Sequence, residues 1–169
     1  RVPARPAIAV FAGDHGVLAE GVSPWPREVT AQMVQNFCAG GAAINALARG
    51  IGAEVVVVDV GVATPLADHP QLRRRTIRAG TANLAEGPAM SVSEAAVAVL
   101  VGAEVASELV AGGADLLVGG DMGIGNTTPS AALIGALTGR DAGAVTGRGT
   151  GIDDGTLARK QAVVAGAIE

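Results

Sequence analysis

Aromatic residues are almost absent from this chain. They make up 2% of its 169 residues, with one Trp, two Phe and no Tyr, although hydrophobic residues reach 49%. A core must therefore be built from Ala, Val, Leu and Ile, which suits helices packed closely on a Val-rich sheet. A chain of this length is long enough for one domain that buries roughly 70% of its unfolded surface.

The sequence also has few of the features that indicate secretion, a membrane or a nucleic-acid partner. A single cysteine, Cys38, excludes an internal disulfide and suits a reducing cytoplasm. The net charge is −4 with acids and bases interspersed, so no basic stripe for nucleic acid or a membrane surface is present. No apolar run reaches the roughly 18 residues of a membrane span, and Arg1–Pro6 lacks a signal-peptide layout. We therefore expect a cytoplasmic protein.

Short apolar runs alternate with helical segments along the chain. Four strands are predicted, at Ala7–Ala12, Glu54–Val60, weakly at Thr76–Ala79, and at Ala114–Val118. The run Val55–Val58 is continuously apolar, which is typical of a parallel strand covered on both faces. The alternation predicts an α/β fold with three α/β/α layers around a mainly parallel, Rossmann-like sheet. Such sheets bind ligands beyond the carboxyl ends of their strands.

Helix signals fill the intervening segments. Four helices are predicted: from Pro26 with a break at Gly40–Gly41, from Ser91 to Gly112, from Thr128 to Gly139, and from Asp153 onward. Ser91 and Glu94 have the spacing of a capping box. No repeat or low-complexity linker divides the chain, so a single domain is expected.

The glycine-rich segment Gly119–Pro129 follows the last predicted strand and opens a helix. Its glycines let backbone N–H groups approach a ligand, and a helix N-terminus adds unpaired donors that favour an anion. A nucleoside-triphosphatase P-loop is disfavoured because Asn126 stands where the lysine must be. A dinucleotide fingerprint that begins at Gly123 lacks its third glycine, since Thr128 occupies that position. On spacing alone, a tight turn with a helix cap explains the segment as well as an anion-binding loop does.

A second segment, Thr146–Asp154, repeats the theme with hydroxyls, glycines and Arg148 before a helix. Lys160, about two turns into that helix, could project toward a bound anion. Acidic residues stabilise the first turn of any helix, so Asp153 and Asp154 are expected mainly to stabilise the start of this helix. A lone lysine such as Lys160 is more often a solvated surface residue.

Asp14 and His15 lie where the first predicted strand ends. They could be an acid–base pair, metal ligands or members of a hydrogen-bonded turn. The turn is favoured because adjacent residues on an extended end point apart, and a role in lining a site is the alternative. No ligand cluster with metal spacing accompanies them, so no metal site is predicted. Ser23, in the proline-stiffened loop that follows, either contacts a ligand or ends a turn.

Taken together and in order, these segments resemble one family. The matching segments are Ala12–Val17, Glu20–Ser23, Pro26–Thr30, Gly40–Asn45, Val58–Val62, Asp121–Thr128 and Gly147–Gly151. They are similar to the signatures of the nicotinate-nucleotide–dimethylbenzimidazole phosphoribosyltransferase family. The run Met122–Thr128 is the most specific of them, and the resemblance spans nearly the whole chain.

The resemblance implies an enzyme of cobalamin biosynthesis, a glycosyltransferase of the phosphoribosyltransferase type. Its members transfer the phosphoribosyl group of nicotinate mononucleotide to 5,6-dimethylbenzimidazole, which gives α-ribazole 5′-phosphate and nicotinate. A base nitrogen attacks the anomeric carbon with inversion while a glutamate accepts the proton from the other ring nitrogen. The family requires no metal or organic cofactor, its partners are these small substrates, and its members are typically cytoplasmic homodimers.

The resemblance also implies which residues bind substrate. Gly123, Ile124 and Gly125 match the phosphate-side loop, and Lys160 matches a lysine near the phosphate. Asp121 stands where many relatives have a longer glutamate, so its contacts to ribose or leaving group are expected to differ. The implied set is Ser23, Gln32, Asp121, Met122, Gly123, Ile124, Gly125, Asn126, Thr127, Gly149 and Lys160, of which Met122, Ser23 and Gln32 line the base pocket.

The general-base glutamate of relatives lies beyond the second glycine segment, and no residue here matches it; Glu169 lacks the context. We therefore expect residues 1–169 to be part of the large phosphoribosyltransferase domain, truncated relative to the family with its N-terminal and C-terminal portions absent, and inactive alone. One alternative is a non-catalytic mononucleotide- or phosphate-binding protein on the same fold. A pyrophosphate-dependent phosphoribosyltransferase is disfavoured because its acidic pair precedes the Thr-Gly loop, whereas Asp153 and Asp154 follow it. A purely structural domain is the third alternative.

Overall fold

A single parallel sheet forms the centre of the molecule. The computed structural model describes residues 2–169 and contains strands β1 (Pro6–Gly13), β2 (Glu54–Gly61), β3 (Leu72–Arg74) and β4 (Leu116–Met122). Their order across the sheet is β3-β2-β1-β4, and every neighbouring pair is parallel. β1 therefore lies between β2 and β4, and the predicted parallel sheet is confirmed.

Helices connect the strands and cover both faces of β1 and β2, whereas most of β4 is exposed. They are α1 (Glu28–Cys38), α2 (Ala43–Ile51), α3 (Val92–Ala111), α4 (Thr127–Thr138), α5 (Ala142–Val145) and α6 (Asp154–Ile168), with a 3-10 helix at Gly16–Glu20. The predicted capping box begins α3: the Glu94 N–H donates to Ser91 Oγ at 3.2 Å, and the Ser91 N–H donates to Glu94 Oε2 at 2.8 Å. No helix among residues 2–169 is both long and apolar enough to cross a membrane.

Alternate residues of β1 and β2 point to opposite faces and pack into two separate cores. On one face Val10 and Val57 contact a cluster that includes Val34 of α1. On the other face Ala9, Val56 and Val58 pack with Val101, Val105 and Leu109 of α3. These two cores define the predicted three-layer α/β/α arrangement, which is confirmed.

The third strand lies earlier than predicted. The sequence favoured Thr76–Ala79, but β3 is Leu72–Arg74, so that prediction is wrong. Beyond β3 the chain keeps only separate bonds to β2, among them one from the Ile77 N–H to the Val60 carbonyl oxygen at 3.1 Å. The Thr76 hydroxyl also donates to Asp59 Oδ2 at 2.8 Å, so side-chain and isolated backbone bonds hold this segment beside β2 in place of a strand ladder.

The fourth strand extends further than predicted, to Met122. Two glycines that suggested a loop are strand residues: Gly119 lies opposite Ala9 and Gly120 opposite Val10. Because Ala12 and Met122 are also partners, β1 and β4 end side by side at the same edge of the sheet. The loops that leave these two strands therefore meet, as expected for a parallel α/β sheet.

Candidate anion-binding site

The first glycine loop, Gly123–Asn126, lies directly against the end of β1. A Cβ atom at Gly123 would be 2.1 Å from the carbonyl oxygen of Gly13 and 2.9 Å from His15 Nε2. Gly125 has φ +86°, a backbone conformation that residues other than glycine rarely adopt. Both glycines are therefore required by backbone geometry.

The N–H groups of this loop fall into two sets. Those of Ile124, Asn126 and Thr128 are occupied: they donate to Thr30 Oγ1 at 3.1 Å, the Gly123 carbonyl at 3.0 Å and the Gly125 carbonyl at 2.9 Å. Within residues 2–169 the N–H groups of Gly125 and Thr127 have no backbone acceptor. Since Thr127 begins α4, these two free donors stand at a helix N-terminus, where an anion is favoured.

The second glycine loop, Thr146–Gly151, lies opposite the first. Gly149 has φ +55°, and a Cβ there would lie 3.2 Å from Thr127 Oγ1 and 3.6 Å from Lys160 Nζ. Lys160 Nζ donates to Thr127 Oγ1 at 2.6 Å and to the Gly147 carbonyl at 3.2 Å. The lysine thus links α6 to both loops.

Lys160 is a buried cation without a protein counter-ion. Only 2% of it is exposed, so the interpretation of a solvated surface residue is wrong. Among the residues that the structure describes, no carboxylate forms an ion pair with it. Burial lowers the pKa of the Lys160 ammonium below its ordinary value. Because an uncompensated buried charge is costly, this arrangement favours a bound anion.

A cavity of about 310 Å³ opens between the two loops. Its size is at the lower end of the range for small-molecule sites. Apolar side chains form one part of the wall, and glycine backbone with cationic side chains forms another. The lining residues are Val22, Ser23, Met122, Gly123, Ile124, Gly125, Asn126, Thr127, Arg148, Gly149, Thr150, Ile152 and Lys160.

Most of the residues predicted to bind substrate meet at this cavity. Those that line it are Ser23, Met122, Gly123, Ile124, Gly125, Asn126, Thr127, Gly149 and Lys160. Gln32 and Asp121 do not: Gln32 is exposed on α1, and Asp121 is exposed at the end of β4. Asp121 is nevertheless tied to the cavity wall, because Asn126 Nδ2 donates to its Oδ2.

Four lining residues received no individual role from the sequence: Val22, Arg148, Thr150 and Ile152. Val22 and Ile152 are buried apolar residues next to the motifs, and a hydrophobic residue beside a glycine loop carries no distinctive signal. Arg148 is bent back onto its own loop, where it donates to the Ile152 carbonyl at 2.9 Å and pairs with Asp154. Its side chain therefore shapes the second glycine loop.

Asp14 and His15 have different surroundings. Asp14 is buried and ties the end of β1 to the segment after β2: its N–H donates to the Gly61 carbonyl at 3.0 Å, and its Oδ2 accepts the Ala63 N–H at 2.8 Å. The expected turn is present only at His15, whose carbonyl accepts the Leu18 N–H at 3.2 Å. Burial lowers the pKa of His15, opposed in part by the nearby carboxylates of Asp14 and Asp121. Among residues 2–169 no group of three or more His, Cys, Asp or Glu could hold a metal ion.

Fold and site together define an α/β protein with a pocket between two glycine loops at the carboxyl edge of its sheet, where free backbone N–H groups and a buried lysine favour an anion. A family model described as phosphoribosyltransferase matches residues 2–169. The chain belongs to the nicotinate-nucleotide–dimethylbenzimidazole phosphoribosyltransferase family, whose members are enzymes.

Relatives with this name are similar along nearly the whole chain. The one from Chloroflexus aggregans is 55% identical over 160 residues, which are 95% of this chain and 45% of the relative. The one from Thermus thermophilus is 56% identical over 164 residues, 97% of this chain and 49% of the relative. The crystal structure of CobT from Thermus thermophilus is 56% identical with a TM-score of 0.95, covering 97% of this chain and 49% of that one. The chain thus spans about half the length of the curated relatives it matches.

Proposed function

We propose that the complete protein encoded by the gene transfers the phosphoribosyl group of nicotinate mononucleotide to 5,6-dimethylbenzimidazole. The products are α-ribazole 5′-phosphate and nicotinate. The observation that carries this proposal is the buried ammonium of Lys160, without a carboxylate partner, at a cavity between two glycine loops. Further support comes from relatives that are named for this reaction and share more than half of their aligned residues with the chain.

The 5′-phosphate would lie between the free N–H groups of Gly125 and Thr127 and the ammonium of Lys160. Each of these groups is a hydrogen-bond donor, and the N-terminus of α4 adds the positive end of a helix dipole. Gly123 and Ile124 shape the loop, while Gly149 allows the second loop to approach Thr127. A dianionic phosphate would supply the counter-charge that Lys160 lacks.

The base would occupy the more apolar side of the same cavity. Met122 and Ser23 line it, and the side chains of Val22 and Ile152 complete an apolar wall suited to a flat aromatic ring. We place Gln32 at the rim of this slot, on the exposed side of α1.

Asp121, held by Asn126 at the end of β4, would contact the ribose hydroxyls or the departing nicotinate. The hydrogen bond from Asn126 Nδ2 fixes the carboxylate beside the first glycine loop, close to where the ribose would lie. Its side chain is shorter than the glutamate of many relatives, so this contact depends on that fixed position.

Transfer proceeds by attack of a base nitrogen on the anomeric carbon, with nicotinate leaving from the opposite face. A glutamate accepts the proton released from the other ring nitrogen, and no metal or organic cofactor takes part. We propose that this glutamate comes from a part of the family's chain outside these 169 residues, and that the working enzyme is a cytoplasmic homodimer. The resemblance to the family supports the position of the glutamate, the cytoplasmic location and the homodimer.

The 169-residue chain alone should therefore be nearly inactive. Loss of a general base lowers a rate by about 10²–10⁴-fold. Product formation from nicotinate mononucleotide and 5,6-dimethylbenzimidazole would be followed by chromatography for the complete gene product and for the 169-residue chain. We expect turnover by the complete gene product but not by the 169-residue chain, and a magnesium chelator should leave the rate unchanged. No turnover by the verified complete protein would refute the enzyme assignment, and tight mononucleotide binding without turnover would favour a non-catalytic binding protein.

Anion binding by this site should weaken at a lower pH than it would if Lys160 had the pKa of an ordinary lysine. Phosphate binding needs the charged ammonium, and burial lowers the pKa of Lys160, so affinity should fall as the pH rises through that lowered pKa. The ligand-free fold should gain stability over the same interval, because there the unfolded state binds more protons. Calorimetric titrations with inorganic phosphate above pH ~7.5, where phosphate is already mostly dianionic, measure the fall. A Lys160→Met variant should bind weakly and show no such fall; a parallel fall in both proteins would assign it to another group.

A further inference from the structure

Thr30 connects the first helix to the first glycine loop. Its side chain is fully buried in the first turn of α1, and its Oγ1 accepts the N–H of Ile124 at 3.1 Å across 94 residues of sequence. Ile124 is buried itself and lines the cavity. The threonine hydroxyl thus reaches the backbone of the site without lining the cavity.

This bond decides which N–H groups of the loop remain for a ligand. Buried N–H groups are nearly always paired, so Ile124 needs an acceptor on the protein side of the loop. With that N–H directed at Thr30, the next free donors along the loop belong to Gly125 and Thr127, which both line the cavity. Without the hydroxyl, the Ile124 N–H would seek another acceptor, and the peptide planes on either side of it would rotate.

We propose that Thr30 is a positioning residue for the phosphate site, acting through Ile124 to aim the Gly125 and Thr127 N–H groups at the ligand. The identity of the ligand, nicotinate mononucleotide, rests on the function proposed above. The geometric part, control of an anion site by the Thr30 hydroxyl, stands on the hydrogen bond and the burial alone.

The test compares three variants of the complete gene product. Thr30→Val keeps the shape and removes the acceptor, and Thr30→Ser keeps the hydroxyl. Thr138→Val serves as a matched control, because its hydroxyl bonds to the Ile134 carbonyl on an exposed part of α4. Loss of one hydrogen bond to a buried group is expected to weaken nicotinate mononucleotide and inorganic phosphate binding by about 10-fold in Thr30→Val. Thr30→Ser and Thr138→Val should bind within about 2-fold of the wild type, a difference below the net effect of one hydrogen bond.

A purely structural role would leave a different pattern. If Thr30 only stabilises the fold, Thr30→Val should lower the melting temperature while both dissociation constants and the KM for the mononucleotide stay at wild-type values. That result would overturn the proposal. A raised KM for the mononucleotide with an unchanged KM for the base, restored by serine, is the pattern that positioning predicts.

Amide signals of the unmodified protein provide a second test, which does not depend on a variant that folds. Inorganic phosphate should shift the amide resonances of Gly125 and Thr127 most strongly, and the Ile124 amide should already be protected from exchange before phosphate is added. An Ile124 amide that exchanges freely and becomes protected only with phosphate would overturn the proposal. Failure of the enzyme assignment looks different: turnover would be absent while phosphate binding still depended on Thr30.

Discussion

Replacing Gly123 with alanine is expected to eliminate phosphate binding and to destabilise the fold. The new methyl carbon would lie 2.1 Å from the Gly13 carbonyl oxygen, which belongs to the end of β1 in the middle of the sheet. Gly13 pairs with Gly61 of β2, which holds its backbone in place, so the first glycine loop must shift instead. If the loop N–H donors move by about 1 Å, phosphate affinity should fall by roughly 10²-fold, by analogy with the effect of such a misplacement on catalysis. Overpacking costs about 1–3 kcal/mol of stability.

Gly119→Ala is the matched control for this change. Gly119 lies on the same strand, β4, and a Cβ atom there meets no other atom within 4 Å among the described residues of the chain. In the 169-residue chain its phosphate affinity and its denaturation midpoint should stay at wild-type values. Denaturant unfolding and calorimetry measure both quantities. Equal behaviour of the Gly123 and Gly119 variants would contradict the close approach of the loop to β1.

The second large effect is expected for Lys160→Met. Methionine fills a similar volume but provides no charge, so a bound phosphate would lose its partner at the base of the cavity. Truncation of one partner of a buried charge pair costs about 2–5 kcal/mol, which corresponds to at least ~30-fold weaker phosphate binding. The ligand-free fold should be unchanged or slightly more stable, because a buried charge is removed while only two neutral acceptors, Thr127 Oγ1 and the Gly147 carbonyl, lose a donor.

Arg159→Met controls for the change in net charge. Arg159 is the neighbour of Lys160 on α6, but it donates to the Gly21 carbonyl at 3.2 Å and does not line the cavity. Its loss should change phosphate affinity by less than about 3-fold at physiological salt, since exposed charges are screened. If both variants weakened binding equally, general electrostatic attraction would explain the affinity and Lys160 would have no special role.

Much of the fold could be predicted because local and global signals agree. The continuous apolar run Val55–Val58 indicated a strand covered on both faces, and both cores contain residues from it. The capping box at Ser91 marked the start of α3 correctly. The third strand was misplaced because β3 is only three residues long and consists of Leu72 and two arginines, which carry no apolar pattern.

The site was harder to predict than the fold. Nine of the proposed substrate residues line one cavity, because parallel strands place the loops that follow them at one edge of the sheet. Burial of Lys160 could not be predicted from its neighbours on α6, because it results from the approach of two loops that are distant in sequence. The contact between Thr30 and Ile124 was missed for the same reason: the two residues are 94 positions apart.

The most direct test of the account is a calorimetric titration of the 169-residue chain with nicotinate mononucleotide, repeated with Gly125→Val. Valine cannot readily adopt the φ of +86° at this position, so the substitution strains the loop backbone. We expect saturable binding to one site by the wild type and its loss in the variant. Equal binding by both proteins, or no binding by a wild-type chain shown to be folded, would contradict a phosphoribosyl site built from these two loops.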